Sequence, residues 1–290
     1  MKAIKAILLL LFILNTHSYA KEPFMRHSLD NMPVLEALPK GMYGTNTPIE
    51  QRGIEFRKFL SASVKIQVSE GAGSGSIIYY DKENNKAYVA SCGHLWKSGI
   101  LSAEQAKDKK IKCKVIVWYK NEVKLQKPES FDAELIFYSY TNETDTSLVT
   151  FSPDWHPKYI PLAPADYKYK IGSTAHSCGC DGGKEVAHYE VKLTDINEDV
   201  VTIKNSPRPG RSGGGLFDEN SYIGTCWGTQ FVDGSGTGYF TPIKEIHSFW
   251  GKQNGYKFLL SKHLGFKARA LPIVNKNSKE EVTQDYILAP

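Results

Sequence analysis

The sequence predicts an all-β protein, a barrel or a sandwich, on three observations. Short segments of alternating apolar and polar residues recur with turn residues between them. Sixteen Tyr, thirteen Phe, five Trp and 24 Gly favour sheet and turns over a helical bundle. No long helical pattern separates the segments.

The elements follow in chain order. Lys2 and Lys5 precede the apolar run Ala6 to Leu14, and Ser18-Tyr19-Ala20 places small residues where a signal peptidase reads. Residues 1–20 therefore read as a cleaved Sec-type signal, which implies export to the periplasm or the medium. The apolar run is too short to span a bilayer, and no stable membrane insertion is expected after cleavage. Residues 21–60 form a lead-in broken by Pro23, Pro33, Pro39 and Pro48, with a short helix around Ile49 to Leu60. Val64, Ile66 and Val68 then alternate with polar residues, the mark of a half-buried strand. Strands are expected at Ser76 to Tyr80 and Ala87 to Ala90, joined by the polar turn Asp81 to Asn85. Others are expected at Val115 to Tyr119, Glu134 to Tyr138, Ser147 to Phe151, Val186 to Leu193, Val200 to Lys204 and Tyr222 to Trp227. Thr241-Pro242 reads as a helix start, and Ile243, Ile246 and Phe249 or Trp250 recur at helical spacing. Residues 251–290 are a tail with little pattern.

Composition excludes some classes of partner. Lys and Arg exceed Asp and Glu by five, 36 against 31, and Lys2 and Lys5 of the signal account for two of that excess. The remainder is spread along the chain without a basic stripe, so no nucleic-acid partner is expected. No cofactor is called for. The five cysteines are Cys92, Cys113, Cys178, Cys180 and Cys226, and an odd number leaves at least one outside any internal pairing. Export makes disulfides possible. The Cys178-Gly179-Cys180 spacing is not the two-residue knuckle of a zinc site, so no metal is assigned there despite His176 and Asp181 nearby.

Three segments carry candidate chemistry. In Pro209-Gly210-Arg211-Ser212-Gly213-Gly214-Gly215, a serine lies in a glycine cluster. Such a turn can expose the hydroxyl and aim two backbone N–H groups at one point, as acyl transfer requires. A plain glycine-rich hairpin is the other reading. In Tyr88-Val89-Ala90-Ser91-Cys92-Gly93-His94, an apolar strand runs through small residues into a histidine, where a general base would be held rigidly. In Asp145-Thr146-Ser147-Leu148-Val149, a carboxylate precedes an apolar strand and can be drawn inward to orient an imidazole. Asp132 and Asp154 are rival carboxylates, each beside bulky aromatic residues.

In order and spacing these segments resemble the His, Asp and Ser segments of the chymotrypsin-like, trypsin-fold serine peptidases. Ser91-Cys92-Gly93-His94 is similar to that family's Ser-Ala-Ala-His, Asp145 to Val149 to its Asp-Ile-Ala-Leu-Leu, and Gly210 to Gly214 to its Gly-Asp-Ser-Gly-Gly. Gly71 to Ile78 and Phe131 to Phe151 look closer to the bacterial HtrA branch, and the resemblance runs from about Ser61 to Trp250. It implies a peptidase domain over 61–250 built of two six-stranded antiparallel β-barrels with a short C-terminal helix. It also implies a secreted serine endopeptidase acting on protein or peptide substrates. Ser212 would be the nucleophile, His94 the general base and Asp145 its orienting partner, with Ser91 helping to fix Asp145. The N–H groups of Gly210 and Ser212 would form the oxyanion hole. Cys226-Trp227-Gly228 looks like the family's Ser-Trp-Gly strand, so Trp227 would wall the cleft. Ser206 matches the floor of the primary specificity pocket, and Gly228 and Gly238 the small residues at its mouth. A neutral floor with open walls implies a large apolar or aromatic side chain there.

The chain also departs from the pattern. Arg211 stands where many trypsins have the aspartate that pairs with a freshly cut N-terminal amine. An arginine cannot make that pair, so activity is expected without such a cut. Gly215 replaces the usual proline, and Cys92 and Cys226 replace small residues close enough to the triad for a bond between them to be conceivable. A trypsin-fold protein that binds without cutting is the competing function. A chaperone-protease of the HtrA type would carry a PDZ domain, and residues 251–290 are too few for one.

Overall fold

The computed structural model describes residues 54–261 apart from 97, 143, 198, 205, 206, 233 and 234. The signal at 1–20, the lead-in before 54 and the tail from 262 lie outside the described residues.

Thirteen strands follow a short first helix, α1 (Ile54–Ser61). The first seven are β1 (Ser63–Val68), β2 (Gly71–Asp81), β3 (Lys86–Ser91), β4 (Gly99–Leu101), β5 (Lys112–Lys120), β6 (Val123–Tyr140) and β7 (Asp145–Phe151). They form one sheet in the order β4-β6-β5-β1-β2-β3-β7, which the β6–β7 pairing closes into a six-stranded barrel with β4 on its margin. Alternation builds its inside. Cys113, Val115 and Val117 of β5 point inward and are buried, while Lys112 and Lys114 beside them are exposed. Val64, Ile66, Ile77, Val89, Leu135 and Val149 meet the same interior. The second half of the chain supplies β8 (Thr174–Cys180), β9 (Val186–Ile196), β10 (Val201–Lys204), β11 (Gly215–Phe217), β12 (Tyr222–Val232) and β13 (Ser235–Pro242). These close a second barrel in the order β10-β13-β12-β11-β8-β9. The expected all-β architecture of two six-stranded antiparallel barrels is the one observed.

Several elements go beyond the sequence expectations. β6 begins at Val123 rather than near Glu134, because residues 123–132 are mostly exposed and their apolar alternation is lost. Pro128 within this stretch argues against a strand. It is accommodated where the β5–β6 register shifts between Val117, opposite Glu129, and Tyr119, opposite Lys124. Helix α2 (Ala103–Lys109) was not expected. A capping box starts it: Gln105 N–H donates to Ser102 Oγ at 3.3 Å, and Ser102 N–H donates to Gln105 Oε1 at 3.0 Å. β8 is rich in small residues and β11 has only three residues, so neither shows a periodicity to read.

Helix α3 (Ile243–Trp250) follows β13 as expected and buries Ile243, Ile246, Phe249 and Trp250. Trp250 and Phe249 meet the Phe137 ring of the first barrel edge-on, at centroid distances of 5.4 and 5.8 Å. Trp250 Nε1–H donates to Thr146 Oγ1 at 3.2 Å, so the helix braces the start of β7. Truncating this fully buried side chain in Trp250→Ala is expected to cost about 3–5 kcal/mol of unfolding free energy in urea titration. A loss under about 1 kcal/mol would show that α3 does not brace the barrel.

Candidate active site

Pairing between strands places the first two candidate residues together. β3 and β7 run antiparallel with Ser91 opposite Ser147. Continuing that register by two residues sets Gly93 beside Asp145. Asp145 is the first residue of β7 and is fully buried. A buried carboxylate needs donors, since desolvation is costly. Gly93 N–H and His94 N–H donate to Oδ1 at 2.5 and 3.0 Å, and His94 Nδ1–H donates to Oδ2 at 2.7 Å. The Thr241 hydroxyl of the second barrel donates to the Asp145 carbonyl at 3.0 Å. Gly93 admits no side chain, because a Cβ there would lie 1.9 Å from the Ser139 carbonyl oxygen.

The arrangement sets the imidazole chemistry. With Nδ1–H on the carboxylate, Nε2 carries the lone pair. Burial disfavours a charged His94, while the Asp145 carboxylate at Nδ1 favours it. Cys92 Sγ lies 3.6 Å from Nε2. Burial raises the pKa of the Cys92 thiol, so it is a neutral, weak donor to that lone pair. Among the described residues no hydrogen bond joins Ser212 Oγ to Nε2.

The Ser212 loop reaches the same place from the second barrel. Gly213 has φ +84°, and a Cβ there would lie 2.1 Å from the Ser74 carbonyl and 3.1 Å from Cys92 N, so the turn sits directly on the end of β3. Gly213 N–H donates to the Cys226 carbonyl at 2.7 Å. Gly182 N–H donates to the Pro209 carbonyl at 2.6 Å. A trans peptide points its N–H opposite to its C=O, so Gly210 N–H is turned away from Gly182. Neither Gly210 N–H nor Ser212 N–H has a partner among the described residues, and Ser212 is half-buried.

Two residues that hold this loop were not singled out from the sequence. Ser74 of β2 is fully buried. Its N–H donates to the Ser212 carbonyl at 2.7 Å and its hydroxyl to the Gly210 carbonyl at 2.7 Å, while Cys180 N–H donates to its Oγ at 2.7 Å. The signal was a polar residue inside the glycine run Gly71 to Gly75. Asp181 is the second. Arg211 is 2% exposed and its Nε–H donates to Asp181 Oδ1 at 2.8 Å. Arg211 Nη1 donates to the Ser177 carbonyl at 3.0 Å. The Tyr189 hydroxyl donates to Asp181 Oδ2, and the guanidinium lies 4.3 Å from the centre of the Tyr189 ring.

Other expectations need correction. Ser91 does not touch Asp145, because its hydroxyl donates to the Ser74 carbonyl at 2.7 Å and the amides of Gly93 and His94 do the fixing. Asp132 and Asp154 are not rivals: they pair with Lys114 and Lys120 at the surface, with side chains 90% and 63% exposed. No disulfide joins any two of the five cysteines, and all of them are buried, Cys92 and Cys226 included. Trp227 stacks on Tyr239 at 5.2 Å, and Gly228 faces open space. Gly238 does not: a Cβ there would lie 2.5 Å from Pro207 Cδ and 2.9 Å from Ile203 Cγ1. Pro207 thus fills the wall that the sequence left open for a large side chain. Ser206 lies outside the described residues.

Two closed antiparallel barrels with the His, Asp and Ser segments at their seam define the chymotrypsin-like fold. Solved structures share it. The Rv3671c protease of M. tuberculosis in its active form matches at 19% identity and TM-score 0.51, over 77% of this chain and 91% of that one. The serine endoprotease of Yersinia pestis matches at 15% identity and TM-score 0.51, over 78% and 71%. A scabies mite inactivated protease paralogue matches at 15% identity and TM-score 0.50, over 71% and 96%. No family model matches the chain, and no curated protein does.

The Arg211–Asp181 pair gives a stability test. Asp181→Ala leaves a buried guanidinium without its anion and is expected to cost about 3–5 kcal/mol in denaturant unfolding. Adding Arg211→Met should recover most of that loss. Failure of the second change to recover stability would mean that Asp181 acts through something other than Arg211.

Proposed function

We propose that the chain is an exported serine endopeptidase, with His94, Asp145 and Ser212 as its triad and protein or peptide as substrate. The observation that carries this reading is the buried Asp145 carboxylate fixing the His94 ring through Nδ1 at 2.7 Å, beside the serine loop. Ser212 Oγ attacks the scissile carbonyl as Nε2 of His94 takes its proton. The acyl-enzyme forms, and the imidazolium passes the proton to the leaving amine. Water then repeats the cycle on the ester. Gly210 and Ser212 N–H groups, both without partners among the described residues, stabilise the oxyanion. In the resting state Nε2 faces the Cys92 thiol, a weak donor. Ser212 has only that contact to displace when substrate closes the site, and such bonds commonly tighten in the substrate complex.

Export rests on residues 1–20. Among the described residues no helix is long and apolar enough to cross a membrane. The peptidase unit is proposed to span 61–250. Because Arg211 is already paired within the chain by Asp181, the serine loop is ordered without a new N-terminus. Binding without cutting is the second reading. The missing Ser212–His94 bond favours it, as does the likeness to an inactivated paralogue.

A fluorophosphonate probe separates the two. It should label Ser212 in the full chain, and both labelling and casein cleavage should vanish in Ser212→Ala. Asp145→Asn should lower kcat by roughly 10⁴-fold while keeping the fold. Equal casein cleavage by Ser212→Ala and the unchanged protein would overturn the proposal. In a separate measurement, protein with an extended N-terminus should cleave peptides at once. Inertness until it is clipped would refute the role given to Arg211.

A further inference from the structure

We propose that Cys92 and His94 form a binding site for a thiophilic divalent cation, zinc being the best fit, which switches the enzyme off by occupying the general base. The inhibitory part rests on the peptidase reading, whereas the metal site does not.

The first observation is a distance. A tetrahedral zinc holds a sulfur at about 2.3 Å and an imidazole nitrogen at about 2.0–2.1 Å, which sets the two ligand atoms about 3.6 Å apart. Cys92 Sγ and His94 Nε2 are 3.6 Å apart. The second observation lies on the far side of the ring. Zinc-bound histidines commonly give their other N–H to a carboxylate, which fixes the tautomer and raises ligand basicity. Asp145 does this for His94 at 2.7 Å and is itself held by two amides. The ligand atoms of Cys92, His94 and Asp145 all lie within 4.8 Å of one another. Charge agrees as well, since a thiolate and the Asp145 carboxylate together match a divalent ion.

Binding balances simply. The Cys92 thiol proton leaves to solvent as the metal–sulfur bond forms, and the Nε2 lone pair makes the metal–nitrogen bond. No electron changes hands, and water completes the coordination. The lone pair that would take the Ser212 proton is then unavailable. None of the hydrolytic steps proposed above uses the Cys92 thiol, so it adds a ligand beside Nε2 that the reaction does not need.

Cadmium is the spectroscopic probe, because bonding to a thiolate gives an ultraviolet charge-transfer band. The full chain and its Ser212→Ala variant should both show the band. Cys92→Ala and Cys92→Ser should lose it with unchanged far-ultraviolet circular dichroism, and His94→Ala should weaken cadmium binding. In a peptidase assay, zinc should inhibit and a chelator should restore activity. The zinc concentration for half inhibition should rise by about tenfold or more in either Cys92 variant. A band that persists unchanged in both Cys92 variants would overturn the site. So would zinc inhibition equal in all three proteins. If one Cys92 variant fails to fold, the other and His94→Ala decide. A Cys92-dependent band in a protein that never cleaves peptide would uphold the metal site and sink the peptidase reading instead.

Discussion

A carboxylate with no access to water stands at the centre of this molecule. Asp145 is fully buried, and an ionised group there is tolerable only with a complete set of donors. Two backbone amides and one imidazole N–H supply it. That requirement fixes much else. It locks the residues after β3 against the start of β7 and demands a glycine at 93. It also sets the His94 tautomer and leaves Nε2 as the ring's only acceptor. The Thr241 hydroxyl extends the same anchor into the second barrel. A destabilising burial thereby becomes a rigid orientation of the imidazole.

The serine loop is held by a different logic. Its backbone curls around Gly210 and Gly213, both at positive φ. Turns of this kind gain stability only when neighbours fix them. Ser74 clamps the loop from the first barrel on both sides of Arg211, through the carbonyls of Gly210 and Ser212. Arg211 turns into the second barrel and buries its charge on Asp181. The loop is thus a bridge: one barrel holds its backbone and the other its side chain. The ion pair that anchors the loop is internal to the fold, with Arg211 and Asp181 both within the second half of the chain.

The cysteines show how position divides one residue type into several roles. Cys113 and Cys180 have thiols pushed up to about 12 by burial and behave as small apolar filler. Cys92 is equally buried but faces a lone pair. The same side chain there lies 3.6 Å from Nε2 of His94 and is the ligand proposed above for a divalent cation. Pro207 illustrates the converse for glycine. A small residue at 238 signals open space only if nothing else moves in, and the proline ring does.

Periodicity carried the strand at Val64 to Val68, because one of its faces lies in a barrel interior and alternation records that directly, whereas Ser147 to Phe151 is buried along its whole length and was legible as a short run bounded by polar residues. The His, Asp and Ser segments were legible for a related reason: strand ends and glycine turns are local features, encoded by adjacent residues. The exposed half of β6 was not legible, since a strand without a buried face has no alternation to show. Nor were Ser74 and Asp181. Their partners lie far away in the sequence, Gly210 being 136 residues from Ser74 and Arg211 being 30 from Asp181. The sequence by itself therefore determined the all-β class and which residues bear the candidate chemistry. Only the tertiary structure decided what each of them faces: amides for Asp145, a thiol for His94, a carboxylate for Arg211. Such contacts depend on how two closed barrels meet, and chain spacing does not encode that meeting.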